Sequence, residues 1–167
     1  MSEADVKKLD HEKGRAEAEV ELRAIGANDV KAFRLRVLRP PKREHAAYPG
    51  DDAADTLHLG AFVDAALVAV ATVCREAMPG TSDADAWRLR GMATLDEFRG
   101  RGVGKRMVEA CVTHAISQGA ESVWCSARIS VLRFYQAAGF KEQGEPFSLP
   151  EYSEHSYVLM KRELRGN

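Results

Sequence analysis

The chain has 167 residues with 45% apolar and 29% charged side chains, an ordinary single-domain composition that excludes a wholly disordered, collagen-like or coiled-coil chain. Its 24 basic and 25 acidic residues leave a net charge of −1, so no global field draws it to nucleic acid or to an anionic membrane. The longest largely apolar run, residues 65–74, falls well short of the roughly 20 residues that span a bilayer, and the N-terminus has no apolar core of a secretory signal. Cys74, Cys111 and Cys125 lack CxxC spacing and read as buried thiols of a reducing compartment, not as a disulfide frame or a metal site. The expectation is a cytoplasmic protein without a metal.

Residues 1–16 are rich in Lys, Glu and Asp and read as a mobile extension; residues 17–167 read as one domain. Residues 18–25 alternate, with Val20, Leu22 and Ala24 on one face of a first strand. Asn28 or Asp29 is placed to cap a helix carrying Val30, Phe33, Val37 and Leu38, which Pro40-Pro41 stops. Residues 41–56 read as a polar loop, with Asp51, Asp52 and Asp55 solvated. Two strands, 57–63 and 66–74, join through a tight turn at Asp64-Ala65; the second is apolar on both faces and so belongs at the centre of a sheet. After a loop at 78–85, residues 87–94 form another strand, with Leu89 and Gly91 alternating against Arg88 and Arg90.

The most regular helix follows, its stripe made by Val103, Met107, Val108, Cys111, Ala115 and Ile116 and its end set by Gly119. Residues 121–127 read as a strand, 131–138 as a helix stopped by Gly139, and 140–145 and 155–163 as two late strands. Hairpins in the first half and strand–helix alternation in the second imply an α/β fold: a mixed central sheet of about six to seven strands flanked by helices.

Arg99-Gly100-Arg101-Gly102-Val103-Gly104-Lys105 lies between a predicted strand and the amphipathic helix. Glycines allow a tight turn and a close ligand approach, and a helix N-terminus offers free N–H donors and a positive dipole end. Arg99, Arg101, Lys105 and Arg106 add cations, so the segment suits a pyrophosphate. A Walker A loop would need Gly at 99 and Ser or Thr at 106, where this chain has Arg twice. A dinucleotide fingerprint would need Gly at 105, where this chain has Lys.

What remains is the pattern Arg-x-x-Gly-x-Gly, filled by Arg99, Gly102 and Gly104. Here the sequence resembles the GNAT superfamily of acyl-coenzyme A-dependent N-acetyltransferases. LRGMATLDEFRGRGVGKRMVEA looks like that family's strand, loop and helix around coenzyme A, and VLRFYQAAGF resembles its later helix–strand motif. The ending HSYVLMKREL is similar to its last strand, and the ElaA-like proteins are a branch that the chain resembles. One position departs: many members carry Asn seven residues before the motif Tyr, where this chain has Arg128.

The resemblance implies transfer of an acetyl group from acetyl-coenzyme A directly to an amine, on a small molecule or a protein. A coenzyme A-binding regulatory domain without efficient transfer is the alternative. Backbone N–H groups of Arg99, Gly100, Arg101, Gly102, Val103, Gly104 and Lys105 would hold the pyrophosphate. Met92, Ala93 and Thr94 would pair with the pantetheine amides as an added strand, and Tyr135 would face the leaving thiolate. No nucleic acid or membrane partner is implied, and an exposed edge near the C-terminal strands is where a homodimer would form. His58 and His155 are open alternatives for the general base, as is a water chain, while Asp96 and Glu97 precede the phosphate loop and read as orienting it. Asp51, Asp52 and Asp55 form an acidic run that could attract polyamines but reads first as solvated loop.

Overall fold

The computed structural model describes residues 19–38, 40 and 42–164, so the charged extension expected at 1–16 and Pro41 lie outside the described residues. Seven strands form one sheet: β1 (Glu21–Ala24), β2 (Leu57–Val63), β3 (Ala66–Arg75), β4 (Ala86–Thr94), β5 (Ser122–Arg128), β6 (Lys141–Ser148) and β7 (Ser156–Glu163), in the order β1-β2-β3-β4-β5-β7-β6. Every neighbouring pair is antiparallel except β4–β5. The tight turn between β2 and β3 has both Asp64 and Ala65 at positive φ, 49° and 66°, the twist that suits a two-residue hairpin.

Helix α1 (Ala27–Val37) lies on one face of the sheet, where Val30 and Phe33 pack with Val70 and Ala93. Its N-cap is Gly26, without a side-chain cap bond; Asn28 and Asp29, expected to cap it, are already inside the first turn. The helix ends at Val37, before the prolines are reached. Helix α2 (Val103–Ser117) covers the other face and buries Met107, Val108, Cys111, Val112 and Ala115 against β2, β3 and β4. Ile116, expected in that stripe, is exposed, because each residue turns about 100° around the helix and position 116 has rotated past its edge. Helix α3 (Leu132–Ala137) follows a 3-10 turn at Ile129–Val131 and adds Leu132 and Tyr135 to the same core.

Two irregularities of β4 shape the molecule. Ala93 pairs with Val70 and Arg90 with Thr72, so Gly91 and Met92 share the place opposite the single residue Ala71. This is a β-bulge, with Gly91 at φ +62° and a Cβ there only 2.9 Å from Arg34 Nε. It breaks the alternation expected of Leu89 and Gly91. In addition, β4 pairs with β5 only at Ala86↔Ser122, Trp87↔Val123 and Arg88↔Trp124. Beyond those pairs the two strands part.

Candidate active site

The parting of β4 from β5 opens a cleft of about 1080 Å³ in the middle of the sheet. Met92, Ala93 and Thr94 line it from β4, and Ser126, Ala127 and Arg128 from β5. Past Arg88 the inner edge of β4 has no ladder partner on β5, so its backbone groups face the cleft.

The glycine-rich segment closes one end. Gly100 and Gly102 have φ of +74° and +79°, and Gly102 is the N-cap of α2. The first intrahelical bond runs from Arg106 N–H to the Gly102 carbonyl, leaving the N–H groups of Val103, Gly104 and Lys105 without an intrahelical acceptor. A Cβ at Gly100 or Gly102 would meet nothing within 4 Å, whereas one at Gly104 would stand 3.2 Å from the Phe134 ring. The first two glycines therefore answer to backbone conformation, and the third to the aromatic ring laid across the helix start.

The cations divide. Arg99 and Lys105 line the cleft. Arg101 instead sits over the Phe98 ring at 5.4 Å, and Arg106 donates to the Val20 carbonyl at 2.8 Å. Arg101 is the one expected site residue whose side chain does not line the cleft.

Tyr135 enters the cleft from α3. Its ring packs edge-on against Phe134 and Phe140, with centroids 5.0 and 5.7 Å away. Its hydroxyl lies 3.6 Å from Met92 Sδ, a weak acceptor. Burial raises the phenol pKa well above its ordinary value, and the neighbouring Cys125 and Cys111 push the same way. The phenol thus stays protonated at neutral pH. The thiols of Cys111 and Cys125 are themselves pushed up to about 12 by burial, so neither offers a thiolate for acylation.

The Acetyltransferase (GNAT) family profile matches residues 27–140. A protein of Bacillus subtilis strain 168 described as the uncharacterized N-acetyltransferase YitI is 35% identical over 147 residues, covering 87% of this chain and 97% of that one. The chain belongs to the acetyltransferase (GNAT) family. It is an N-acetyltransferase, an enzyme of acetyl transfer from acetyl-coenzyme A to an amine. Escherichia coli ElaA has the same fold, with a TM-score of 0.70 at 17% identity over 87% of this chain and 100% of that one. So does an aminoglycoside 6'-N-acetyltransferase complexed with coenzyme A, with a TM-score of 0.68 at 13% identity over 88% and 98% of the two chains.

This GNAT chain sorts the residues left open for proton removal. His58 is buried with both ring nitrogens engaged, Nδ1 with Thr72 Oγ1 and Nε2 with the Asp51 carbonyl, each at 2.8 Å. It does not line the cleft. Asp96 and Glu97 start an exposed 3-10 turn, where Asp96 pairs with Arg99 at 3.4 Å. His155 lies edge-on to Tyr157 and also stays out of the cleft. Among the described histidines the cleft is lined by His45, whose Nδ1 is buried and has no hydrogen-bond partner. Sequence reading passed over it, since His45 sits in a polar stretch with no periodicity and reaches the cleft only through the 3-10 helix Arg43–Ala46.

Asp51 corrects the reading of the loop as solvated. Arg34, itself fully buried on α1, donates to Asp51 Oδ2 at 2.7 Å, to the Ala46 carbonyl at 2.9 Å and to Thr72 Oγ1 at 2.8 Å. Arg90 reaches Asp51 Oδ1 at 3.2 Å and also donates to the Pro49 carbonyl. Burial by itself would raise the Asp51 pKa, but hydrogen bonds from Arg34 and the Tyr48 N–H, with the charges of Arg34 and Arg90, hold it below its ordinary value. Asp55 pairs with Arg75 at 3.2 Å. A polyamine-attracting acidic run is therefore not what this segment forms.

Proposed function

We propose that acetyl-coenzyme A lies along the split between β4 and β5. Its pyrophosphate would take the free N–H groups of Val103, Gly104 and Lys105, with Arg99 and Lys105 alongside. Its pantetheine amides would pair with the open edge of β4 at Met92, Ala93 and Thr94. The observation that carries this reading is one cleft that holds the unpaired strand edge, the uncapped start of α2 and the Tyr135 hydroxyl together.

In the transfer itself, the amine nitrogen forms a bond to the acetyl carbon as the carbon–sulfur bond breaks. The electron pair leaves on sulfur and the nitrogen loses a proton. Tyr135 donates a hydrogen bond to the departing thiolate. Handing over its proton outright would be uphill: an ordinary phenol at about 10 faces a thiol at about 8.5, a difference of roughly 2 kcal/mol, and burial widens that gap. His45, with its unpartnered Nδ1, is the side chain we assign to the nitrogen proton, directly or through water.

Three buried free cysteines support a reducing compartment, the cytoplasm. No described helix is long and apolar enough to cross a membrane. The outer edge of β6, the terminal strand of the sheet, is where a second copy would pair.

The test is thermal melting with coenzyme A together with thiol release from acetyl-coenzyme A across a panel of amines. At 100 times its dissociation constant a ligand stabilises the native state by about 2.7 kcal/mol, which a melting curve resolves. A shift with turnover of an amine supports the assignment. No shift at saturating cofactor overturns the placement in this cleft.

A further inference from the structure

We infer that the acceptor is an amine carrying a carboxylate, of the amino-acid class, and that Arg128 binds that carboxylate; this rests on the cleft being the acetyl-transfer site. The first observation is charge. Among the described residues, Arg88, Arg90, Arg99, Lys105 and Arg128 line the cleft, against the single carboxylate of Glu44 at its exposed rim. Arg99 and Lys105 belong to the end near the start of α2.

The second observation is strand parity. Val123, Cys125 and Ala127 of β5 point into the core beneath α2. Trp124, Ser126 and Arg128 therefore stand on the opposite face. Register places Arg88 beside Trp124, and the Arg88 guanidinium covers the Trp124 ring at 4.7 Å. Register likewise places Arg128 beside Tyr157 of β7. Arg90 shares this face, with its guanidinium 5.1 Å from the Tyr48 ring. Arg88, Arg90 and Arg128 thus share the sheet face opposite α2, where an acceptor would meet the thioester.

The third observation separates the three arginines. Arg88 is held by Glu76 at 2.9 Å, and Arg90 by Asp51 at 3.2 Å and Glu76 at 3.7 Å. No side chain among the described residues hydrogen-bonds or ion-pairs with Arg128. A guanidinium matches a carboxylate through two parallel N–H···O bonds, and Arg128 is the one of the three without a side-chain partner among the described residues.

The experiment offers matched acceptors to the full-length enzyme: each common L-amino acid, its carboxamide and its decarboxylated amine. Wild-type enzyme and Arg128→Gln are compared by kcat/KM, and coenzyme A affinity is measured separately by titration. We expect the carboxylate form to be preferred at least tenfold by the wild type. Arg128→Gln removes that preference while the coenzyme A Kd stays within twofold; Arg128→Lys keeps part of the preference. Equal or better use of the amide or amine by the wild type overturns the inference. So does a loss of coenzyme A affinity in Arg128→Gln with the preference intact, which would make Arg128 a cofactor contact. Normal coenzyme A binding with no amino acid consumed overturns the acceptor class alone, whereas failure of coenzyme A to bind removes the acetyl-transfer placement itself.

Discussion

Among the described residues the Tyr135 hydroxyl has only the Met92 thioether within reach, so its donor is available to a stronger acceptor. Tyr135→Phe is expected to keep coenzyme A binding and lower kcat at least tenfold; unchanged turnover with saturating substrates would remove Tyr135 from the mechanism. Because the phenol pKa is raised, no alkaline limb below about pH 10 in the rate profile should trace to this residue. Asp51 plays a different part. It joins Arg34 and Arg90 and presents its carbonyl to His58, tying α1, β2 and β4 to the loop at 47–56. Asp51→Ala should lower stability by about 3–5 kcal/mol, since it leaves buried guanidinium charge without a partner; a urea midpoint near wild type would show that the cluster contributes little. Tyr135 was legible because its neighbours in sequence form a compact motif. Asp51 was not, because its partners at positions 34, 58 and 90 lie apart from it in the chain and a run of aspartates beside Pro and Gly reads as solvent-facing.

The strand–glycine–helix unit of β4 and α2 could be read from sequence because its signals are local: glycines at the turn, then an apolar stripe of helical period. The bulge at Gly91 could not, since a glycine within an alternating strand looks the same whether or not an extra residue is inserted. That insertion changes the face presented by Met92 and the residues after it, and so sets what β4 shows to the cleft. The glycine at the head of α2 gives the sharper test. Gly102 holds φ +79° with open space where a side chain would go. Gly102→Val therefore strains the backbone by about 1–2 kcal/mol without a clash, and its branched side chain occupies the space in front of the helix start. A modest fall in Tm with a loss of coenzyme A affinity beyond tenfold is expected. Affinity retained within twofold would mean the helix start does not hold the pyrophosphate.

At the scale of the molecule, pairwise hairpins were readable and the order of the sheet was not. Nothing local tells β7 to insert between β5 and β6; that placement is decided by long-range pairing. Acid stability is also a whole-molecule property. The Asp51 carboxyl titrates lower in the folded chain than in the unfolded one, so its stabilisation is complete above the unfolded value, about 4, and is lost as pH falls through the folded value. The wild-type Tm should drop more steeply than that of Asp51→Ala below about pH 4; parallel curves would show that another carboxyl governs acid unfolding. The three-pair seam between β4 and β5 has a further consequence, for solubility. A sheet that divides at its centre carries two extra strand edges, and open edges are templates on which another extended chain can add. The emptied enzyme should therefore cloud first on warming, with coenzyme A delaying turbidity by covering an edge that most sheets never leave bare.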